Sequence, residues 1–266
     1  MREGFAPETI DFKVRRLSFR SVIKVSVFII HAIAFLIIHS LLYIFIWNSD
    51  KRLKIILRSN AFHAKITLMY LGIEIFPKEK VPELNGQLII CNHMSYIDVL
   101  VLFAFYPSLF ITSREIRNTP FLGQITKLAG CFFVERRKHL RTPENIYEEL
   151  RAMKMRLDQG FCIFLFPEGT SSDGRCVLPF KAHFFRLATE QNMKIKPLVL
   201  KYHGESHNAV PWYGDMNFLS HFMEIASLRN ISVSLESLEE IQPAGRDYFQ
   251  LKDEAYEKIR KAYEKH

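Results

Sequence analysis

One interruption in an otherwise apolar stretch brings a histidine and a carboxylate close together: "LIICNHMSYIDVL" at 88–100. The apolar run stops at Asn92-His93, Asp98 follows five residues after the histidine, and the chain turns apolar again. On a helix, positions five apart lie about 140° from one another, so the pair cannot share one helical face. The arrangement that joins them places His93 in the turn before a helix and Asp98 on that helix's first turns, reaching back. Asp98 would then bond one ring nitrogen and fix the tautomer, leaving the other nitrogen as a base. A satisfied core histidine beside an N-terminal helix carboxylate fits the same spacing, so the pair alone does not decide function.

Three further strand exits carry polar residues. In "FLFPEGTSSDG" at 164–174, Pro167, Glu168, Gly169 and Thr170 follow directly on a buried run, and Asp173-Gly174 is a turn signal. Gly169 lets the backbone approach a ligand, and successive N–H groups in such a turn can cradle an anion. A plain polar turn would look similar. "GCFFVER" at 130–136 ends in Arg136 and continues into Arg137 and Lys138, a basic exit or an ordinary solvated charge run. "PFKAHFF" at 179–185 sets Lys181 among aromatics, where a lysine can also snorkel with its stem on apolar surface.

The elements that must position these residues read as an α/β domain with a largely parallel or mixed sheet flanked by helices. Short apolar runs at 87–91, 109–112, 131–134, 161–166, 196–200 and 231–235 are the expected strands. Several are continuously apolar, which suits strands covered on both faces. Thr119-Pro120 and Thr142-Pro143 predict helix starts, and Gly130 and Gly160 predict the matching stops. Residues 247–266 read as a docked amphipathic helix.

Residues 25–47 hold no Asp, Glu, Lys or Arg, long enough for an apolar helix to cross a bilayer. Basic residues flank both ends, so both ends are compatible with the cytoplasmic face, as in a re-entrant hairpin or a tilted interfacial helix. His31 and His39 inside the run are expected to bond a neighbouring helix as neutral imidazoles or to snorkel. The chain therefore divides into a membrane-associated helical segment (1–58), the α/β domain (59–240) and a C-terminal amphipathic helix (241–266). Its net charge of +8 suits a partner that carries negative charge: nucleic acid, an anionic membrane surface or a phosphorylated substrate. The four cysteines form no CxxC pair and are expected as reduced thiols in a cytosol-facing protein.

Taken together, "NHMSYID", "GCFFVER", "FPEGT" and "KPLVL" around Pro197 resemble, in order, the motif blocks of the lysophospholipid acyltransferase family typified by 1-acylglycerol-3-phosphate acyltransferases. The resemblance covers roughly residues 89 to 199. It implies transfer of a fatty acyl group from acyl-ACP or acyl-CoA to the free hydroxyl of lysophosphatidic acid, giving phosphatidic acid in the membrane. His93 would be the general base and Asp98 its orienting partner, with no bound cofactor and no metal. The acceptor would be held by Arg136 first and Lys181 second. Backbone amides near Asn92 or the turn Glu168-Gly169-Thr170 would steady the oxyanion. Glu168 would orient the acceptor or brace its loop. Members specific for lysophosphatidic acid commonly carry Arg after the EGT, whereas this chain has Ser171. That departure, with Arg175 in the same loop as a substitute cation and "WYGDM" at 212–216, looks like members acting on other lysolipids, including lyso-ornithine lipid.

Two readings of other classes stand beside it. "HGESH" at 203–207 spaces two histidines as metal ligands of a hydrolase, although Gly204 and the preceding strand favour a loop. A non-catalytic membrane-binding protein would need only the apolar segment and the positive charge. No motif supports nucleic-acid binding, and the apolar segment argues against it.

Overall fold

The computed structural model describes residues 18–76, 84–135 and 142–265. In chain order the elements are α1 (Phe19–Phe45), α2 (Ser49–Leu71), β1 (Ile73–Phe76), β2 (Leu88–Cys91), α3 (Tyr96–Phe105), β3 (Leu109–Ser113), α4 (Arg114–Arg117), α5 (Leu122–Leu128) and β4 (Phe132–Val134). They continue with α6 (Pro143–Asp158), β5 (Ile163–Leu165), a 3-10 turn (Ala182–Phe184), α7 (Phe185–Glu190), β6 (Ile195–His203), α8 (Ser206–Ala209), α9 (Phe218–Ser227), β7 (Ile231–Ser237) and α10 (Tyr248–Glu264).

The seven strands form one mixed sheet in the order β1-β7-β6-β2-β5-β3-β4. Only β6 and β7 run antiparallel; the other neighbours are parallel. The central strands β2 and β5 are buried along their whole length, which is why they read as unbroken apolar runs. They lie side by side with Ile89 opposite Phe164, so their carboxyl ends open at one place, the usual position for a site in such a sheet.

α1 and α2 form an antiparallel hairpin. Asn48 caps α2 by accepting the Lys51 N–H at 2.8 Å, and Gly72 closes that helix with φ at 77°. Near the start of α1, Lys24 Nζ donates to the carbonyls of Leu71 at 2.6 Å and Leu228 at 2.8 Å, pinning the helix to the end of α2 and to the residue that closes α9. At the other end the Arg52 guanidinium lies 4.7 Å over the Tyr43 ring. At 27 residues α1 is about 40 Å long, enough to cross a bilayer, and it presents Val22, Ile23, Ile30 and Ile44 outward. The polar α2 instead packs on α3, and the boundary placed after residue 58 falls inside it.

Several elements differ from the sequence-based expectation. β1 is four residues with one buried side chain, Ile73, too short a pattern to register as a strand. β6 runs three residues past the expected end at Leu200, held by its antiparallel ladder with β7. α5 begins at Leu122 rather than Pro120, because the Thr119 hydroxyl donates back to the Glu115 carbonyl and Phe121 adopts a left-handed φ of 66°. α10 buries Leu251, Ala255 and Ile259 against the β6 side, as its amphipathic pattern requires. All four cysteines are unpaired, with Cys91 and Cys162 buried and Cys176 exposed.

Candidate active site

His93 stands in the turn between β2 and α3, two residues past the strand end. Ser95 caps α3 and Asp98 is its third residue, so the two form a capping box at the helix N-terminus. The Asp98 carboxylate is fully buried, and each of its oxygens is engaged. Oδ2 accepts from His93 Nδ1 at 2.9 Å and from the backbone N–H groups of Met94 at 2.7 Å and Ser95 at 2.8 Å. Oδ1 accepts from the Tyr202 hydroxyl at 2.7 Å. An ionised carboxylate only accepts, so in the neutral imidazole the proton sits on Nδ1 and the Nε2 lone pair is left free. Nε2 has no hydrogen-bond partner among the described residues, and His93 lines a cavity. Its ring lies flat on Phe166, with centroids 3.7 Å apart and planes within 6°. Orientation is thus fixed by one hydrogen bond and one stacked ring.

Glu168 comes from the loop after β5, beside the dyad. Its Oε1 accepts the His93 N–H at 2.7 Å and its Oε2 accepts the Leu178 N–H at 2.9 Å, so it braces the turn that carries the histidine. Burial pushes its carboxyl up to about 8, outweighing the two donated N–H bonds. A second tie, Ser172 N–H to the His93 carbonyl at 2.9 Å, binds the same two loops. Trp212 joins them from a third segment: its N–H reaches the Met94 carbonyl at 2.7 Å, and its carbonyl accepts the Ser171 hydroxyl.

The cavity over the dyad has a volume of about 930 Å³. It runs between the α1–α2 hairpin and a wall made by α3, β3 and α5, with aromatic and aliphatic side chains such as Phe28, Leu100, Phe103 and Ile125 on its walls. That is the size and lining expected of a pocket for a mainly apolar ligand with a few polar groups at one place. Gly169, Thr170, Ser171 and Lys181 line it alongside His93. Gly169 has φ at 72°, a backbone conformation strained for any residue with a side chain, and it lies against the flexible end of Lys181, so the turn favours glycine through its backbone. The N–H groups of Thr170 and Ser171 have no partner among the described residues.

The other expected residues lie elsewhere. The Asn92 side chain is buried and spends both ends on β6, donating to the Leu200 carbonyl at 2.8 Å and accepting its N–H at 2.9 Å. It fastens the β2 exit rather than facing the cavity. Arg175 is largely exposed, ion-paired to Asp173 at 3.4 Å, and borders a separate, smaller cleft with Lys201 and His207. Arg136 lies outside the described residues. In "HGESH", His203 closes β6 and bonds Ser234 Oγ at 2.8 Å while His207 lies in the one-turn α8, so no helix carries both as ligands. Tyr202, which holds Asp98, escaped the sequence reading because β6 was expected to end two residues before it. Alternation along a longer strand was the only signal that would have found it.

Comparison with known proteins identifies the family. The acyltransferase family profile matches residues 72–201, from the end of α2 through most of β6. A 1-acyl-sn-glycerol-3-phosphate acyltransferase of Neisseria gonorrhoeae is 32% identical over 179 residues, 66% of this chain and 69% of the relative. A lyso-ornithine lipid O-acyltransferase of Rhodobacter capsulatus is 29% identical over 147 residues, 53% of this chain and 51% of that one. The crystal structure of the 1-acyl-sn-glycerophosphate acyltransferase PlsC from Thermotoga maritima superposes with a TM-score of 0.66 at 17% identity, covering 92% of this chain and 95% of that one, which shows a common fold. A mixed α/β sheet, a His–Asp pair where two of its parallel strands end and this degree of identity place the chain in the PlsC-like family of 1-acylglycerol-3-phosphate and related lysolipid acyltransferases.

Proposed function

We propose that the protein transfers a fatty acyl group from acyl-ACP or acyl-CoA to the free hydroxyl of lysophosphatidic acid, forming phosphatidic acid at the cytoplasmic face of a membrane. The observation that carries the reading is His93 Nε2, unpaired beside an apolar cavity while Nδ1 is held by a buried carboxylate. An alcohol is a weak nucleophile at neutral pH, so His93 Nε2 takes its proton as the oxygen attacks the thioester carbonyl. Asp98 stabilises the imidazolium that forms, as the acid of a triad does. The tetrahedral oxyanion lies within reach of the Thr170 and Ser171 amides, the C–S bond breaks, and the imidazolium returns its proton to the departing thiolate. The substrate's hydroxyl does the work of an enzyme nucleophile, so the site needs no catalytic serine, metal or bound cofactor.

Arg136 supplies the first positive charge for the acceptor phosphate, and Lys181, beside Gly169 on the cavity wall, the second. Glu168 with its carboxyl near 8 is mainly protonated at neutral pH, which removes the repulsion that a second carboxylate would exert on a phosphate. The fatty chains occupy the cavity beneath α1, whose apolar outer face keeps the site at the lipid surface that holds acceptor and product.

Lyso-ornithine lipid, or another lysophospholipid, is the second acceptor reading, favoured by one observation. Ser171 stands where a phosphate-binding cation is common and spends its hydroxyl on Trp212, while Arg175 faces solvent. A headgroup panel separates the two: purified protein with a labelled acyl donor and lysophosphatidic acid, lysophosphatidylcholine, lysophosphatidylethanolamine or lyso-ornithine lipid. Preference for lysophosphatidic acid upholds the first reading, and preference against it moves the assignment to the second. Transfer that survives His93→Ala would overturn the base assignment. Failure with every lysolipid would leave a membrane-binding protein.

A further inference from the structure

The cavity wall formed by α1 and α2 carries a polar group that a plain hydrocarbon chain gives no reason for. His31 Nε2 and His63 Nδ1 are 2.7 Å apart. His31 Nδ1 lies 3.3 Å from Thr67 Oγ1 and 3.4 Å from the Tyr70 hydroxyl, and Tyr70 donates in turn to Thr67 at 3.4 Å. Thr67 also donates to the His63 carbonyl at 2.9 Å, which ties the cluster to the backbone of α2. All four side chains line the cavity, where Phe28, Phe35, Leu100 and Phe103 supply apolar neighbours.

The cluster satisfies itself except at one atom. His63 is 8% exposed, and its Nδ1 is taken by His31. Its Nε2 has no hydrogen-bond partner among the described residues, on a side chain that borders the cavity. Burial, with the His31 and His39 rings alongside, pushes the His63 imidazole down to about 4, so the ring is neutral at physiological pH. A neutral imidazole pairs with a neutral group that donates or accepts, and gives no charge to a carboxylate or phosphate. Metal binding does not fit either: the two rings face each other within hydrogen-bond distance, and among the described residues no group of three ligating side chains converges.

We propose that His63, backed by His31, Thr67 and Tyr70, is a hydroxyl-recognition site in the cavity, selecting a fatty chain that carries a neutral hydroxyl along its length. This rests on the proposed reading of the cavity as the seat of fatty chains. A saturated chain lying there leaves His63 Nε2 dry and unpaired, whereas a chain hydroxyl at the right carbon completes its hydrogen bond. One such bond gained against one buried polar atom left unmade corresponds to a preference of about tenfold. The hydroxylated chain belongs either to the acyl donor or to the chain already on the lysolipid, and the two sources are separable by experiment.

The test uses the full-length protein in detergent. Displacement of a bound fluorescent fatty acid by stearate and by a positional series of hydroxystearates reads the preference without turnover. One hydroxyl position is expected to bind about tenfold better than stearate. In the transfer assay, hydroxystearoyl-CoA against stearoyl-CoA with a plain lysolipid forms one arm. Plain stearoyl-CoA with lysolipids whose resident chain is hydroxylated forms the other, and the arm that shows the tenfold preference identifies the source. In His63→Leu and His63→Phe the ratio between hydroxylated and plain chains is expected to collapse to about one. That ratio is taken within each variant, so a general loss of activity or folded protein cancels. Equal binding of stearate and every hydroxystearate overturns the proposal, as does a preference that persists in both His63 variants. A preference in binding without transfer to any lysolipid sinks the acyltransferase reading and leaves this one standing.

Discussion

Glu168→Gln is the substitution whose consequence follows most directly from the geometry. The side chain is 2% exposed, and its carboxyl is pushed from an ordinary 4.5 up to about 8 by burial. The folded protein therefore holds a proton that the unfolded chain releases above pH 4.5. The slope of stability with pH follows the protons bound by the unfolded state minus those bound by the folded one, which is negative here. Stability contributed by this group is complete below about pH 4.5, falls as pH rises toward 8, and is flat beyond. One proton gives a slope of at most about 1.4 kcal/mol per pH unit, so the whole interval is worth on the order of 5 kcal/mol as an upper bound. Glutamine cannot ionise and removes the slope. It also has one acceptor oxygen where Glu168 uses two, so either the His93 or the Leu178 N–H loses its bond, a pH-independent cost of about 1 kcal/mol. Thermal unfolding of both proteins in detergent, measured from pH 4.5 to pH 9, should show wild type ahead by about 1 kcal/mol at the acid end, the two curves crossing within about one to two pH units, and the variant ahead by up to about 4 kcal/mol at pH 8. Parallel curves, with the same gap throughout, would refute the argument that Glu168 is buried as an acid.

Four other variants test separate parts of the site. Tyr202→Phe leaves Asp98 Oδ1 without a partner in a fully buried position, and should lower kcat by about tenfold to a hundredfold with little change in acceptor KM. Asn92→Ala removes both bonds to Leu200 and should cost about 2 to 3 kcal/mol in unfolding free energy, with unchanged acceptor KM in the fraction that folds. Gly169→Ala forces a Cβ into Lys181 at a φ of 72°; a rise in acceptor KM larger than the fall in kcat is the expected kinetic signature. Lys24→Met frees the Leu71 and Leu228 carbonyls at the base of α1, and earlier proteolysis at that end, with the sheet intact by circular dichroism, checks it.

What could be read from the chain, and what could not, divides by the range of the interactions. The β2 exit, the His93 turn and the Asp98 position at the start of α3 are local, set by an apolar run, a serine cap and a three-residue offset, and all of them are visible within a dozen letters. The same holds for the α6 start at Thr142-Pro143, where the threonine side chain accepts the Asn145 N–H as a cap should. Tyr202, 104 positions from Asp98 in the chain, reaches it only because β6 pairs alongside β2. The Asn92 side chain is equally non-local: its partner Leu200 is 108 positions away, and nothing near it in the chain says that the residue before His93 is tied to a neighbouring strand. α2 was overlooked because its exposed lysines and arginines dilute the apolar stripe, although the buried set Leu53, Leu57, Ala64, Leu68 and Leu71 keeps helical spacing. His63 in that helix became meaningful only once α1 had been folded against it.

Asp98 answers two demands at once, one from the helix and one from His93. A helix N-terminus carries unpaired N–H groups and a partial positive charge, so a carboxylate at its third residue is stabilised there by the fold alone. The same carboxylate closes the His93–Ser95 turn by accepting the Met94 and Ser95 N–H groups, and only its remaining geometry is directed at His93 Nδ1. Folding of α3 and alignment of His93 are therefore one event, and a variant that removes the carboxylate damages both. Loss of activity in Asp98→Ala thus cannot by itself separate positioning from folding. Tyr202→Phe can, because the hydroxyl touches the carboxylate oxygen that takes no part in the cap. An intact fold with slowed turnover in that variant would show that Asp98 has a share in catalysis beyond its share in the helix.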